Sequence, residues 1–211
     1  MQIWTDDVAR YIADHTAIDD PLLREMEQRA GRDRFPIIGP VVGPWLYSLT
    51  RMVGARRVFE LGSGFGYSTW YFASALRDGG GQMVTHTVWD QALSDEAGQW
   101  LERAGLLGYC DFIVSESTLA LSEAEPGLDV IFMDIDKEGY AAALTIIEQK
   151  LRPGGLLLVD NVLWDGKVAD DRDGDEATVA IRRLNEYLSA SEGWDYLIVP
   201  LRDGLGVAHR R

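Results

Sequence analysis

Apolar positions along this 211-residue chain fall into two rhythms. From Val58 onward, short apolar runs alternate with longer stretches whose apolar residues recur every three or four positions. The first rhythm predicts strands at about 57–61, 83–88, 111–114, 128–134 and 155–160; the second predicts helices at about 67–77, 94–104 and 139–151. Strand and helix taken in turn predict an α/β fold, a doubly wound (Rossmann-like) and mostly parallel sheet with right-handed crossovers. After an acidic, mobile-looking loop at 165–175 and a helix at about 176–188, the tail W-D-Y-L-I-V-P-L-R-D-G-L-G-V-A-H reads as two strands around Asp203–Gly204. That is a C-terminal antiparallel hairpin on the sheet edge.

Ahead of the first strand the pattern is helical. Thr5 can cap a helix that places Val8, Tyr11 and Ile12 on one face, and Asp20-Pro21 is a cap-and-first-residue pair for a helix at about 21–30, ending near Gly31. Phe35–Gly43, F-P-I-I-G-P-V-V-G, is broken by proline and glycine and reads as an extended loop. An apolar helix, Trp45–Val53, follows. Residues 1–54 are therefore expected to form a helical arm or cap within the same domain, and residues 55–211 the α/β body.

Composition narrows the class. The length suits one domain with a sizeable core. No apolar run reaches the roughly 18 residues a membrane span needs, and M-Q-I-W-T-D-D-V carries no secretion signal. The single cysteine, Cys110, excludes an internal disulfide and fits a reducing cytoplasm. A formal charge of −14 disfavours nucleic acid, which needs a basic face. Only three of the 20 basic residues are lysines, and Asp outnumbers Glu 21 to 13. Such acidity suits a concentrated-salt interior, where self-repulsion is screened, or an ordinary acidic protein.

The densest chemistry lies in Arg57–Tyr71, R-V-F-E-L-G-S-G-F-G-Y-S-T-W-Y. A strand runs into Gly62, Gly64 and Gly66, and a helix opens directly after them. Such a turn offers unpaired backbone N–H groups and a positive helix end to a ligand. Dinucleotide folds place their third glycine five residues after the first. Here the interval is four, and Glu60 precedes the turn, which counts against a nicotinamide dehydrogenase. A glycine-rich turn with no ligand remains the plainer alternative. The E-x-G-x-G-x-G order resembles the first motif of class I S-adenosylmethionine-dependent methyltransferases.

Ligands in such sheets bind at the carboxyl ends of the strands. The fourth strand ends in Asp134-Ile135-Asp136-Lys137 and the fifth in Asp160-Asn161. If those ends are neighbours, Asp134, Asp160 and Asn161 form a hard oxygen site suited to Mg²⁺, Mn²⁺ or Ca²⁺; otherwise the acids cap helices or pair with arginines. Lys137 would then stand beside a divalent cation, which disfavours its ammonium and makes it a candidate base. A salt bridge is its other reading.

The phrases F-M-D-I-D-K-E-G-Y, L-R-P-G-G-L-L-L-V-D-N-V-L-W-D-G-K-V, A-I-R-R-L-N and P-L-R-D-G-L-G-V-A, in order with the glycine turn, resemble the cation-dependent O-methyltransferases, among them catechol and caffeoyl-CoA O-methyltransferases. The resemblance runs from about Phe35 to the end of the chain. It implies that Asp134, Asp160 and Asn161 hold a metal and that Lys137 is the base. It also implies that Ile38, Glu60, Gly62, Ser63, Gly64, Tyr67, Ser68 and Asp134 contact S-adenosylmethionine, that the protein is a cytoplasmic homodimer, and that residues 55–211 are the cofactor-binding methyltransferase unit.

Three departures stand at the other end of the cofactor. Counting back from Ala104-Gly105-Leu106 puts Val88 where relatives carry a ribose-binding acid; Asp90 is expected to substitute, with Trp89 over the adenine. Val42 replaces a polar residue, and Ser115-Glu116-Ser117 stands where many relatives have Gly-Asp-Ala, with Ser117 expected beside the adenine. The reading is methyl transfer to a hydroxyl of a catechol-like small molecule. Trp164 and the 165–175 loop serve as wall and lid, unless Trp164 is simply packing. The alternatives are a tRNA hydroxyuridine methyltransferase, which the charge opposes, and a cofactor- and metal-binding protein with little catalysis.

Overall fold

The computed structural model describes residues 5–211. The four residues before Thr5, part of the stretch read as lacking a secretion signal, lie outside them. Thr5 caps α1 (Asp6–Thr16) by accepting from the Val8 N–H, and Asp20 caps α2 (Pro21–Asp33) by accepting from Leu22. Helix α2 does not stop at Gly31. It continues for two residues, and Arg34 closes it in the left-handed region at φ 53°, its N–H donating to the Ala30 carbonyl.

The expected loop at Phe35–Gly43 is a larger correction, because α3 (Gly39–Met52) already begins inside it. Gly39 turns the chain in at φ +71°. Pro40 then falls in the first turn, where a missing N–H costs nothing, and Pro44 removes only the bond to the Pro40 carbonyl. The prolines therefore shape the entry to a helix instead of breaking one.

The body follows as β1 (Arg57–Leu61), α4 (Tyr67–Gly79), β2 (Met83–Val88), α5 (Gln91–Arg103), β3 (Cys110–Val114), α6 (Ser117–Glu123), β4 (Leu128–Met133), α7 (Tyr140–Lys150), β5 (Leu151–Asp160), α8 (Glu176–Ala190), β6 (Trp194–Val199) and β7 (Leu205–Arg210). The seven strands form one sheet in the order β3-β2-β1-β4-β5-β7-β6. The first five are parallel; β7 runs antiparallel to β5, and β6 antiparallel to β7. The expected hairpin is therefore on the sheet, with its first strand outermost. Helix α6 was not anticipated, and β5 begins at Leu151, four residues ahead of the expected start at about Gly155.

Strand alternation divides the core in two. Val58, Val84, Val130, Phe132, Leu156 and Leu158 face the side packed by α2, α3 and α4. Phe59, Leu61, Ile131, Met133, Leu157 and Val159 face the side packed by α7 and α8. Both sides of the central strands are buried, which is why these strands read as continuous apolar runs. The order reverses between β1 and β4, and that crevice at the carboxyl ends is where doubly wound sheets bind ligands. Among the described residues no helix is long and apolar enough to cross a membrane.

Candidate active site

Each glycine of the turn is required by a different neighbour. Gly62, at φ +85°, lies so close to β4 that a Cβ would stand 2.1 Å from the Asp134 carbonyl oxygen. A side chain on Gly64 would meet the Phe35 ring at 2.9 Å, and one on Gly66 would meet Ala97 of α5 at 2.9 Å. The turn is thus wedged between the arm, β4 and α5, and α4 opens from Gly66 with no side-chain cap. Its first N–H groups are left to face the crevice.

Glu60 lies beneath this turn, fully buried. Its Oε2 accepts from the Thr69 hydroxyl at 2.6 Å, while Oε1 is buried with no partner in the chain. Burial pushes its carboxyl up to about 7, against the opposing hydrogen bonds of Ser68, Thr69 and Ser63. A carboxyl under such strain favours a cationic ligand group nearby. Ile38, almost fully buried, immediately precedes α3. The Tyr67 hydroxyl donates to Glu27 of α2 at 2.7 Å, so this side chain ties the arm to the body.

At the far side of the turn two neighbouring residues of β2 have different roles. Val88 is buried, and its carbonyl accepts from the Ser115 N–H. Thr87 is the residue bound into the turn. Its N–H donates to Ser63 Oγ at 3.0 Å, and its carbonyl accepts from the Ser63 N–H at 2.9 Å. Its hydroxyl donates to the Glu60 carbonyl at 2.6 Å and reaches Ser117 Oγ at 3.0 Å. Asp90 caps α5, with Oδ1 accepting from Ala92 at 2.7 Å and Leu93 at 3.2 Å, and its half-buried side chain keeps Oδ2 free. Trp89 beside it is 79% exposed, an open ring face at the rim.

The strand ends meet as expected, because β4 and β5 are paired neighbours. Lys137, in a short 3₁₀ turn at Lys137–Gly139, is buried; its Nζ donates to Asn161 Oδ1 at 3.2 Å and lies 3.6 Å from Asp134 Oδ1. The rings of Tyr140 and Trp164 stand 5.2 and 5.5 Å from that nitrogen. Asp160 is buried, with Oδ1 left without a partner. Burial first, and the charge of Asp134 second, push its carboxyl up to about 7. Burial also raises Asp134, against the lowering influence of Lys137. Asn161 is held in the left-handed region at φ 62°, which asparagine tolerates better than most residues.

A divalent cation fits these donors. One buried and one half-buried carboxylate, both pushed toward the neutral form, together with an orphaned oxygen and an amide oxygen, make a hard-oxygen set short of positive charge. Among the described residues no three His, Cys, Asp or Glu side chains gather as a metal site; here the third donor is an amide. Over this centre, Trp164 and the residues to Ala169 form a 3₁₀ segment. The loop after it is tied down: Arg182 of α8 donates to the carbonyls of Lys167, Val168, Asp170 and Asp173.

The chain is similar to known proteins along nearly its whole length. A profile of the O-methyltransferase family matches residues 13–211. The catechol O-methyltransferase of Niastella koreensis is 30% identical over 214 residues, covering 96% of each chain. Tricin synthase 1 of rice, Oryza sativa subsp. japonica, is 30% identical over 177 residues, covering 77% of this chain and 69% of that one. The crystal structure of a Bacillus cereus O-methyltransferase in complex with SAH superposes with a TM-score of 0.84 at 27% identity, covering 97% of each chain.

Proposed function

The chain belongs to the O-methyltransferase family, and on that premise we propose that it moves the methyl group of S-adenosylmethionine to one hydroxyl of a catechol-like aromatic, with a divalent cation at the ends of β4 and β5. The observation that carries this reading is the convergence of Asp134, Lys137, Asp160 and Asn161 against the glycine turn. The catechol relative and the SAH-bound neighbour support it.

Each residue then has a task. Glu60, buried and half-satisfied, draws the donor's ammonium group to the floor of the turn, helped by Ile38, Gly62, Ser63, Gly64 and Ser68. Ser117 and the free oxygen of Asp90 face its nucleoside, with Trp89 as a stacking face, and Thr87 braces Ser63 beneath them. Asp134, Asp160 and Asn161 hold the cation, Mg²⁺ by donor hardness. When bound, it supplies Lewis-acid stabilisation of charge on the acceptor's oxygens. Lys137 Nζ takes the hydroxyl proton. The rigid turn and strand ends hold the attacking oxygen in line with the methyl carbon, where positioning contributes most of the rate. Trp164 walls the acceptor and the Arg182-tied loop keeps water out.

The test is methyl transfer from labelled S-adenosylmethionine to a panel of catechols, flavonoids and tRNA, with Mg²⁺ and with excess chelator. Labelled catechol that disappears with chelator and returns with Mg²⁺ or Mn²⁺ is expected. Full activity in chelator would remove the metal from the reading, and methylation of tRNA alone would replace the acceptor.

A further inference from the structure

A cavity of about 540 Å³ opens between the end of α2, the chain entering α3 and the β6–β7 turn. That is the size of a small-molecule site. Its apolar side includes Phe35, Pro36 and Pro40; its charged groups are Glu27, Arg34 and Arg202. Glu27 is already engaged, accepting from Tyr67 at 2.7 Å. Among the described residues neither guanidinium has an ion-pair or hydrogen-bond partner, in a chain where acids outnumber bases 34 to 20.

Both arginines sit in the left-handed backbone region, Arg34 at φ 53° and Arg202 at φ 48°. For Arg34 a local cause suffices, since it ends α2 and places a cation at the negative helix end. Arg202 takes the second position of the hairpin turn Leu201–Gly204, closed by the Gly204 N–H on the Leu201 carbonyl at 2.7 Å, where a positive φ suits the turn. The turn carries its side chain to within 4.0 Å of where a Cβ on Gly39 would stand, next to Ile38. Its charge acts on Asp134, Asp160 and Asp203 without pairing with any of them. Arg202 therefore stands between the expected metal centre and the cavity, with its fork of donors unspent.

We propose that Arg202, with Arg34 on the same cavity, binds an anionic group carried by the methyl acceptor, so that the preferred acceptor is an aromatic diol bearing a carboxylate. This rests on the methyl-transfer reading above and adds the acceptor's charge to it. The diol lies over the strand ends, the ring passes along Phe35 and the prolines, and the carboxylate meets guanidinium. Arginine suits the role because its planar fork matches a carboxylate.

The experiment compares neutral catechol with two catechol carboxylates of different length, protocatechuate and caffeate, in wild type, R202Q, R202K and R34Q. Methyl transfer is measured with Mg²⁺. Binding of protocatechuate and of S-adenosylhomocysteine is measured separately by calorimetry. The wild type is expected to prefer the carboxylated acceptors in kcat/KM. R202Q should lose about tenfold of that preference, the scale of one charge-assisted pair, through KM and not kcat. R202K should keep part of it, and R34Q should lose less. A preference unchanged in R202Q overturns the proposal. So does an equal loss for neutral and charged acceptors, which would make Arg202 a counter-charge for the strand-end acids. A loss confined to S-adenosylhomocysteine would place the anion on the cofactor and overturn it as well. If no acceptor is methylated, the methyl-transfer reading fails, while the calorimetry still decides the subsite: weaker protocatechuate binding in R202Q upholds it and equal binding ends it.

Discussion

At the scale of single residues, the pair most open to experiment is Lys137 and Glu60. Lys137 is buried between two rings, with one amide and one carboxylate within reach. Lys137→Ala is expected to lower kcat by about 10²–10⁴-fold, the usual contribution of a positioned base, with little change in cofactor affinity. Activity within a few-fold of the parent would leave it a structural ion pair. Glu60 makes a pH prediction. Its folded carboxyl, at about 7, lies above the ordinary value of 4.5 because burial penalises the charged form. The folded chain therefore holds a proton that the unfolded chain releases between about pH 4.5 and 7. Stability from Glu60 is complete below that window and lost as pH rises through it. Glu60→Gln keeps a neutral acceptor for Thr69, so its stability relative to the parent should improve across the window, by on the order of 1–3 kcal/mol. Melting curves of both proteins at pH 5 and pH 8, without metal or cofactor, would measure it; a constant difference would mean Glu60 ionises freely. The acids, amide and lysine of the strand ends were legible because the sequence marks a strand's end by the first polar residue after an apolar run. Thr87 was not, since nothing along the chain shows its hydrogen bonds to Ser63, the Glu60 carbonyl and Ser117. Arg202 was not either: nothing along the chain shows that a hairpin turn folds back over Asp134.

At the scale of elements, strand positions were readable because buried parallel strands are apolar throughout and bounded by polar residues. The errors fall where local chemistry and packing disagree. Phe35–Gly43 reads as a loop from its prolines and glycines, yet its C-terminal half is helix, since Gly43 lets α3 press onto α4. A Cβ there would stand 2.2 Å from the Tyr71 ring, itself fully buried. Helix α6, seven residues long, is too short to show periodicity. The glycines of the arm give opposite predictions. Gly31, inside α2, has nothing within 4 Å of its Cβ position. Gly31→Ala should stabilise by about 0.5–1 kcal/mol through helix propensity. Gly43→Ala gains the same propensity but must displace a buried ring, so it should destabilise by about 1–3 kcal/mol. Urea midpoints of the two variants, on either side of the parent, would check both signs; a stabilised Gly43→Ala would mean that α3 is free to move off α4.

For the whole molecule the question is what the charge of −14 does. Spread over the 10489 Å² exposed surface, it amounts to one net charge per roughly 750 Å², neighbours about 27 Å apart, against a screening length of about 10 Å at 0.1 M salt. The average field is thus largely screened by about 0.2 M, and its contribution to stability ends there. Any gain beyond that must come from acids much closer together. The stretch after the 3₁₀ segment supplies them: Asp170, Asp171, Asp173, Asp175 and Glu176 lie within seven residues, and among the described residues only Asp170 of these is paired, with Arg172. Arg182 gathers the carbonyls of this loop and holds the acids near one another. Repulsion over a few ångströms persists until the screening length shortens to about 3 Å, near 1 M. The melting temperature is therefore expected to rise steeply with KCl to about 0.2 M and then more gently to beyond 1 M. Asp171→Asn combined with Asp173→Asn should raise it at low salt and flatten the second phase. A parent curve that is flat or falling throughout would show that this acidity serves something other than life in salt.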